Sequence, residues 1–388
     1  RLAEHEIRLP PDVGWHEILR ALFSLKRKFV LVFDEFQRFY RVNRALPSIM
    51  QEFIDNYKEK TELKLILLGS AIGMVDKMFS YSGALYGRRT ANITLRQLSF
   101  FDSVFFFPAQ PLDEIIRFYG MSGGTPGYLE VFARYDSAKD AARALFFSPS
   151  GEFREEPFDI IRSELGPSPV YFSILRALAE GRTRFSEIAS RVNIKVNTLD
   201  YYLHNLQNIM DVVSQVVPAL TKGKRLRPQY ELRDNFFRFW FTFVYPWLSM
   251  PPEDGEKMMV ENFARYYNMY LGHVFEHVAR EFLQTKYRYV APWWHKGEEI
   301  DLIAREKNTL VLFEVKWGEP SKADVRAILD RLGRLGERFK GEWDVRLGLV
   351  CRKLQNKEDL WAEGVEAYDL HDIEKEVKRR SASVAEHN

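Results

Sequence analysis

Cysteine is nearly missing from the 388 residues. Cys351 stands alone, so no intrachain disulfide can form, and a single thiol fits a reducing cytoplasm. An excess of one charge is missing too. The 56 Lys and Arg stand against 54 Asp and Glu, a formal net charge of +2, so any nucleic-acid contact has to come from local patches. Long apolar runs are absent. The longest, Phe236 to Leu248, is interrupted by Arg238 and falls short of the roughly 20 residues a bilayer span needs; it is expected as a buried helix. No signal peptide is visible, and no membrane partner is expected. The sequence also lacks GxxxxGK[ST]. The segment Gly83 to Thr90, GALYGRRT, is one residue short of that pattern, has arginine for lysine, and precedes a predicted strand instead of following one. Finally, there is no initiating methionine. The chain opens at Arg1 and soon enters a predicted buried strand, so an N-terminal portion is expected before it.

What is present is ample apolar material. A hydrophobic content of 46% and an aromatic content of 14% allow two or three domains with large cores. The charged fraction of 28%, with little glutamine, leans towards a thermophile, because ion-pair networks gain value when hot.

Lys28 to Glu35 reads KFVLVFDE. Its apolar run, Phe29 to Phe33, shows no alternation and predicts a strand buried on both faces of an α/β sheet. It ends in Asp34 and Glu35, where open α/β sheets bind ligands. One acid of such a pair can orient Mg²⁺ and the other can polarise an attacking water; the alternative is a strand that simply ends at solvent. A helical stretch, Leu46 to Glu59, leads to a second buried strand, LKLILLGS, ending at Ser70, which can reach a γ-phosphate or the attacking water. Met74 to Tyr81 is expected as helix, and Leu85 to Leu98 as a turn feeding a third strand. Arg88 and Arg89 lie between them, able either to neutralise a transferring phosphoryl group or to anchor a loop. Gly123 to Leu129, GGTPGYL, predicts a sharp corner between two helices.

These pieces, in this order, resemble the archaeal ATPase family related to the STAND group of AAA+-like P-loop proteins, over about Phe29 to Phe132. The resemblance implies ATP and Mg²⁺ as cofactors, Asp34 and Glu35 as Walker B acids, Ser70 as the sensor, and Arg88, ahead of Arg89, as arginine finger. It implies that the turn with Gly124 and Pro126 lies against the adenine. It places the phosphate loop upstream of Arg1, so the chain as it stands is expected to bind ATP poorly. A finger acting between subunits admits a homo-oligomer.

Further on, three predicted helices, Pro169 to Ala179, Phe185 to Val192 and Asn197 to Val213, precede a hairpin, Val216 to Leu232, with the basic tip Lys222, Lys224 and Arg225. That is the order of a winged helix-turn-helix. Lys195, Asn197, Thr198 and Tyr201 on the third helix could reach base edges, and the tip could reach phosphates, making DNA a partner. Asp200 on the same face opposes phosphate, and such modules also serve as protein-interaction surfaces.

The last stretch holds an amphipathic helix, Tyr266 to Lys286, with Glu276, then a strand with Asp301 and a strand with Glu314 and Lys316. Alternation puts Glu314 and Lys316 on one face. Two carboxylates on adjacent strands can hold a hard cation, and the lysine can orient or activate a water; an ion pair in a structural domain is the alternative. The layout resembles the PD-(D/E)xK, or restriction-endonuclease-like, superfamily over about Tyr266 to Cys351. This implies Asp301 and Glu314 as metal ligands, Lys316 as catalytic and Glu276 as an auxiliary acid.

The expected fold class is α/β. Residues 1–110 would be a partial P-loop NTPase core with a parallel sheet and 111–165 a helical lid. A winged helix (166–235), a helical linker (236–265), a nuclease-like domain (266–378) and a disordered tail (379–388) would follow. Three functions are open: a cytoplasmic ATPase switch coupled to DNA binding or processing, a Mg²⁺-dependent nuclease on an ATPase scaffold, and a non-catalytic signalling hub.

Overall fold

A computed structural model of the chain describes residues 12–25, 27–69, 78–220 and 228–385. They fall into two units, residues 1–95 with 203–211, and residues 96–202 with 212–388.

In the first unit, α1 (Trp15–Phe23), β1 (Phe29–Phe33), α2 (Phe36–Val42), α3 (Leu46–Tyr57) and β2 (Leu63–Leu67) alternate. The two strands are parallel, with Phe29 beside Leu63 and Phe33 beside Leu67. Phe33, Leu31, Leu65 and Leu67 turn towards Leu19 and Phe23 of α1 and Met50 and Phe53 of α3, forming one apolar cluster. The expectation of burial on both faces is not met. Val30 is 55% and Val32 48% exposed, because among the described residues the helices cover only the other face. The third strand expected within 85–98 is not formed either. Residues 91–99 carry no regular structure, and Ile93 and Leu95 are exposed, since a strand needs a neighbouring backbone to pair with. The helix expected from Met74 lies largely outside the described residues.

The second unit opens with α4 (Phe100–Ser103), α5 (Leu112–Ser122), α6 (Pro126–Phe132), α7 (Ala138–Ala142) and α8 (Glu156–Leu165). Next come α9 (Pro169–Ala179), α10 (Phe185–Val192) and α11 (Val196–Asn208), whose residues from 203 onward fall with the first unit, then an antiparallel pair, β3 (Val213–Val216) and β4 (Gln229–Leu232). Tyr230 N–H donates to the Thr183 carbonyl at 2.7 Å, tying the returning strand to the turn before α10.

α12 (Asn235–Phe243) and α13 (Pro252–Gln284) occupy the segment expected to be a linker. Neither behaves as one. Phe236, Phe239, Trp240 and Phe243 of α12 are fully buried among Phe146, Phe263 and Tyr270, and Trp240 Nε1 donates to the Arg154 carbonyl at 2.8 Å. α13 runs 33 residues without a break across the expected boundary at 265. It carries Tyr270, whose hydroxyl donates to the Gly120 carbonyl at 2.6 Å, and then Phe275 and Phe282, which pack against Trp317 and Tyr368 of the C-terminal sheet region.

That sheet has five strands in the order β5 (Tyr289–His295), β6 (Glu298–Glu306), β7 (Thr309–Lys316), β8 (Asp344–Cys351) and β9 (Glu366–Tyr368). The first three are antiparallel hairpin neighbours and the last two join in parallel. The parallel joins require crossovers, and α14 (Lys322–Gly336) and α15 (Lys357–Ala362) supply them. β7 is buried almost throughout, as a central strand should be. Phe313 pairs with Gly348 of β8 across the ladder, and a Cβ on Gly348 would come within 2.3 Å of its ring. The tail expected to be disordered from 379 is instead helical to Ala385, in α16 (Leu370–Ala385). Arg379 and Arg380 both pair with Glu376, and Arg380 lies over the Phe101 ring.

Candidate functional site

Asp34 and Glu35 follow β1 directly, at the carboxyl end of the parallel pair. The ladder continues past the strands: Leu68 N–H donates to the Phe33 carbonyl and Phe36 N–H to the Leu68 carbonyl, both at 2.8 Å. Between these bonds the backbone turns at Glu35, which takes a left-handed φ of 51°. A non-glycine residue in that region costs of order 1 kcal/mol and is held by its surroundings. Asp34 is exposed, with Oδ1 accepting from the Glu35 N–H at 2.9 Å; the Glu35 carboxylate accepts from Gln37 Nε2 and faces Arg38 Nε at 3.7 Å. Ser70 lies outside the described residues.

Arg88 is committed to an anchoring contact. Its Nε and Nη2 donate to both oxygens of Asp55 on α3, at 2.8 and 2.6 Å, and Nη1 donates to the Tyr86 carbonyl at 2.7 Å. Arg89 places its guanidinium over the Phe79 ring. Of the two roles open to this pair, the loop anchor is the one these contacts serve.

Gly124 and Pro126 sit in a turn of the second unit. A Cβ on Gly124 would fall 2.0 Å from the Leu98 carbonyl oxygen, so the turn needs glycine to let the Leu98 backbone pass, and Leu98 N–H donates to the Gly124 carbonyl at 2.8 Å. Pro126 opens α6, where its missing N–H is not needed. Beside the turn, Gln97 donates to the buried carboxylate of Asp234. That aspartate also caps α12 through the Phe236 N–H at 2.7 Å. Burial pushes the Asp234 carboxyl upward, against the pull of these donors.

Lys195, just before α11, and Asn197, Thr198 and Tyr201 near its N-terminal end are all exposed, together with Asp200. Lys222, Lys224 and Arg225 lie outside the described residues.

The C-terminal residues converge. Leu302 pairs with Phe313, so Asp301 and Glu314 are neighbours across the β6–β7 ladder, and Asp301 Oδ2 accepts from the Val315 N–H at 2.8 Å. Glu314 is only 5% exposed, with Lys316 Nζ at 2.8 Å from its Oε1 and Arg331 Nη2 on Oε2. Burial, then the charge of Glu314, pushes the Asp301 carboxyl up to about 6. Burial, then the charge of Asp301, pushes Glu276 up to about 8. The four sequence-expected residues therefore feel one another. Lys316 is held above the ordinary lysine value: burial alone would lower it, but the hydrogen bond and charge of Glu314 prevail. It stays an ammonium, suited to orienting a water or an anion and not to taking a proton. Among the described residues, no three acidic, histidine or cysteine side chains stand close enough together to enclose a cation as they are.

Sequence reasoning missed Asp55, Gln97, Asp234 and Arg331. The Asp234 cap, just ahead of an apolar helix, was visible as a signal. The others have none, because their partners lie 17 or more residues away in the chain.

The first unit is an α/β arrangement with paired acids at the carboxyl end of parallel strands, as an ATPase-like fold has. A family model described as an ATPase domain predominantly from Archaea matches residues 6–132, and one described as archaeal and bacterial proteins of unknown function matches 240–328. An uncharacterized protein of Methanocaldococcus jannaschii is 32% identical over 356 residues, covering 87% of this chain and 79% of that one. The chain belongs to this archaeal ATPase family. A solved structure, of a protein from Vibrio cholerae, aligns over 93% of this chain and 91% of its own at 13% identity, with a TM-score of 0.22, too low to inform the fold. No helix among the described residues is long and apolar enough to cross a membrane.

Proposed function

We propose that the protein is an ATP-dependent switch that acts on DNA, its nucleotide state governing the helical hairpin module and the C-terminal sheet domain. The observation that carries this reading is the Asp34–Glu35 pair beyond β1 in a chain of the archaeal ATPase family. With Mg²⁺·ATP bound, Asp34 would hold the cation and Glu35 would orient the attacking water. The three-helix and hairpin order of residues 169–232 reads as a winged helix, and the exposed Lys195, Asn197, Thr198 and Tyr201 present donors and an aromatic face suited to DNA. The test is ATP turnover in the natural protein, including any residues before Arg1. Glu35→Gln should abolish hydrolysis while leaving nucleotide binding. Equal turnover in the two proteins would remove the switch.

A second reading, a Mg²⁺-dependent nuclease, is favoured by the convergence of Glu276, Asp301, Glu314 and Lys316 in a domain that reads as PD-(D/E)xK. The donor chemistry fits: all-oxygen ligands suit a hard cation, and carboxyls made costly to ionise by burial and mutual charge are relieved by one. Asp301 and Glu314 would hold the ion, with Glu276 beside them, and the cation would supply Lewis-acid stabilisation of the phosphodiester. Lys316 would steady the attacking water or the phosphate. Mg²⁺-dependent cleavage lost in both Asp301→Ala and Lys316→Ala is the expected result. If neither cleavage nor turnover occurs and protein partners co-purify, the signalling reading takes its place.

A further inference from the structure

The buried carboxylate of Glu314 is held by two cationic donors of its own chain. Lys316, two residues along the same strand, contacts Oε1 at 2.8 Å. Arg331, from the crossover helix α14, contacts Oε2, and its Nη1 also donates to the Glu299 carbonyl on β6 at 3.1 Å. The lysine belongs to the D…ExK pattern. The arginine does not, and it brings one cation more than such a centre requires. Its planar fork is anchored on two elements at once and its charge is permanent, so it is a fixed competitor for the oxygen a metal would use.

We propose that Arg331 is a latch on this centre: it holds Glu314 in a cation-free, charge-compensated state, and a divalent ion is admitted only when the guanidinium releases Oε2. The inference rests on the reading of Asp301 and Glu314 as metal ligands. A guanidinium and a divalent ion cannot share one carboxylate oxygen without close like-charge repulsion, so each excludes the other. Nucleic acid offers a natural trigger, since a phosphate beside the sheet could draw the half-exposed guanidinium off Glu314. The device therefore makes metal loading depend on the presence of a polyanion.

The test is calorimetric titration of Mn²⁺ into the full chain, with thermal melting in EDTA and in Mn²⁺ as a second readout. Arg331→Gln should bind Mn²⁺ at least tenfold more tightly than the native chain and gain several degrees of melting temperature from it. Arg331→Lys, which keeps the charge but loses the fork, should fall between them, and decides the matter if the glutamine variant does not fold. Adding Glu314→Gln should abolish the gain. Equal affinity in native and Arg331 variants would overturn the latch while leaving the metal centre standing. Folded Arg331 variants that bind no Mn²⁺ would overturn both.

Discussion

Arg88 grips Asp55 through two parallel hydrogen bonds, 2.8 Å from Nε and 2.6 Å from Nη2, closing the loop after Met78–Phe79 onto α3. The bidentate geometry raises the arginine and lowers the aspartate from their ordinary values, the hydrogen bond being the larger cause in each. If the pair is an anchor, Arg88→Ala and Asp55→Ala should lower the melting temperature by similar small amounts, and the double variant should lose little more than either. A double-mutant cycle by thermal melting checks this. Fully additive losses would mean that the two side chains do not act as a unit.

Phe313 and Gly348 make a second relationship that can be tested. A methyl group at 348 would enter the Phe313 ring, which is completely buried and cannot step aside. Gly348→Ala should cost on the order of 1–3 kcal/mol in urea denaturation, the usual range for overpacking. Phe313→Leu in the same chain should recover part of the loss, because it vacates the space the methyl group needs.

Glu281 supplies a pH dependence. Its carboxylate accepts the Phe100 N–H at 2.9 Å, yet burial, the largest influence, pushes it up to about 7 from an ordinary 4.5. The folded chain then holds a proton that the unfolded chain has released. Between pH 4.5 and 7 the unfolded state binds fewer protons, so this group makes stability fall as pH rises, and the loss is complete above about 7. Glu281→Gln keeps an acceptor for Phe100 without the charge. It should be more stable than the native chain at pH 8, by up to a few kcal/mol, and about equal to it below pH 4.5. Melting curves across that range that keep a constant offset would sink the argument.

If the basic segment between β3 and β4 and the exposed end of α11 engage duplex DNA, replacing Lys222, Lys224 and Arg225 together by alanine should weaken binding to all sequences alike. The slope of log affinity against log salt should become shallower by about 3, near one unit for each phosphate contact removed. Tyr201→Ala should weaken binding with no change of slope, because an aromatic face releases no counterions. Fluorescence anisotropy at several salt concentrations separates the two. An unchanged slope in the triple variant would exclude that segment from the interface.

Local order was legible wherever it has a local cause. The helices Pro169–Ala179 and Phe185–Val192 and the strand Phe29–Phe33 lie where periodicity and turn residues put them. The segment 91–98 was not legible. NITL has the β-branched content of a strand, but strand formation depends on a partner backbone, and the sequence does not state whether one is adjacent. The same limit applies to Val30 and Val32, whose apolar character does not reveal whether a layer covers them. The run Phe236 to Leu248 does open as the buried helix its apolar residues predict, but the sequence did not show that this helix forms the aromatic centre of the second unit and not a linker between domains.

By itself, the sequence determined the kinds of residue available for chemistry and their places on strands and helices. Asp34 and Glu35 end an apolar run, and Glu314 and Lys316 share one face of another, because strand alternation and strand ends are properties of a single segment. Tertiary structure alone decided which charges meet. Asp55 neutralises Arg88 from 33 residues away, and Arg331 reaches Glu314 across a helical crossover. Coulomb energy and burial depend on distance in space, and only the packed chain sets that distance.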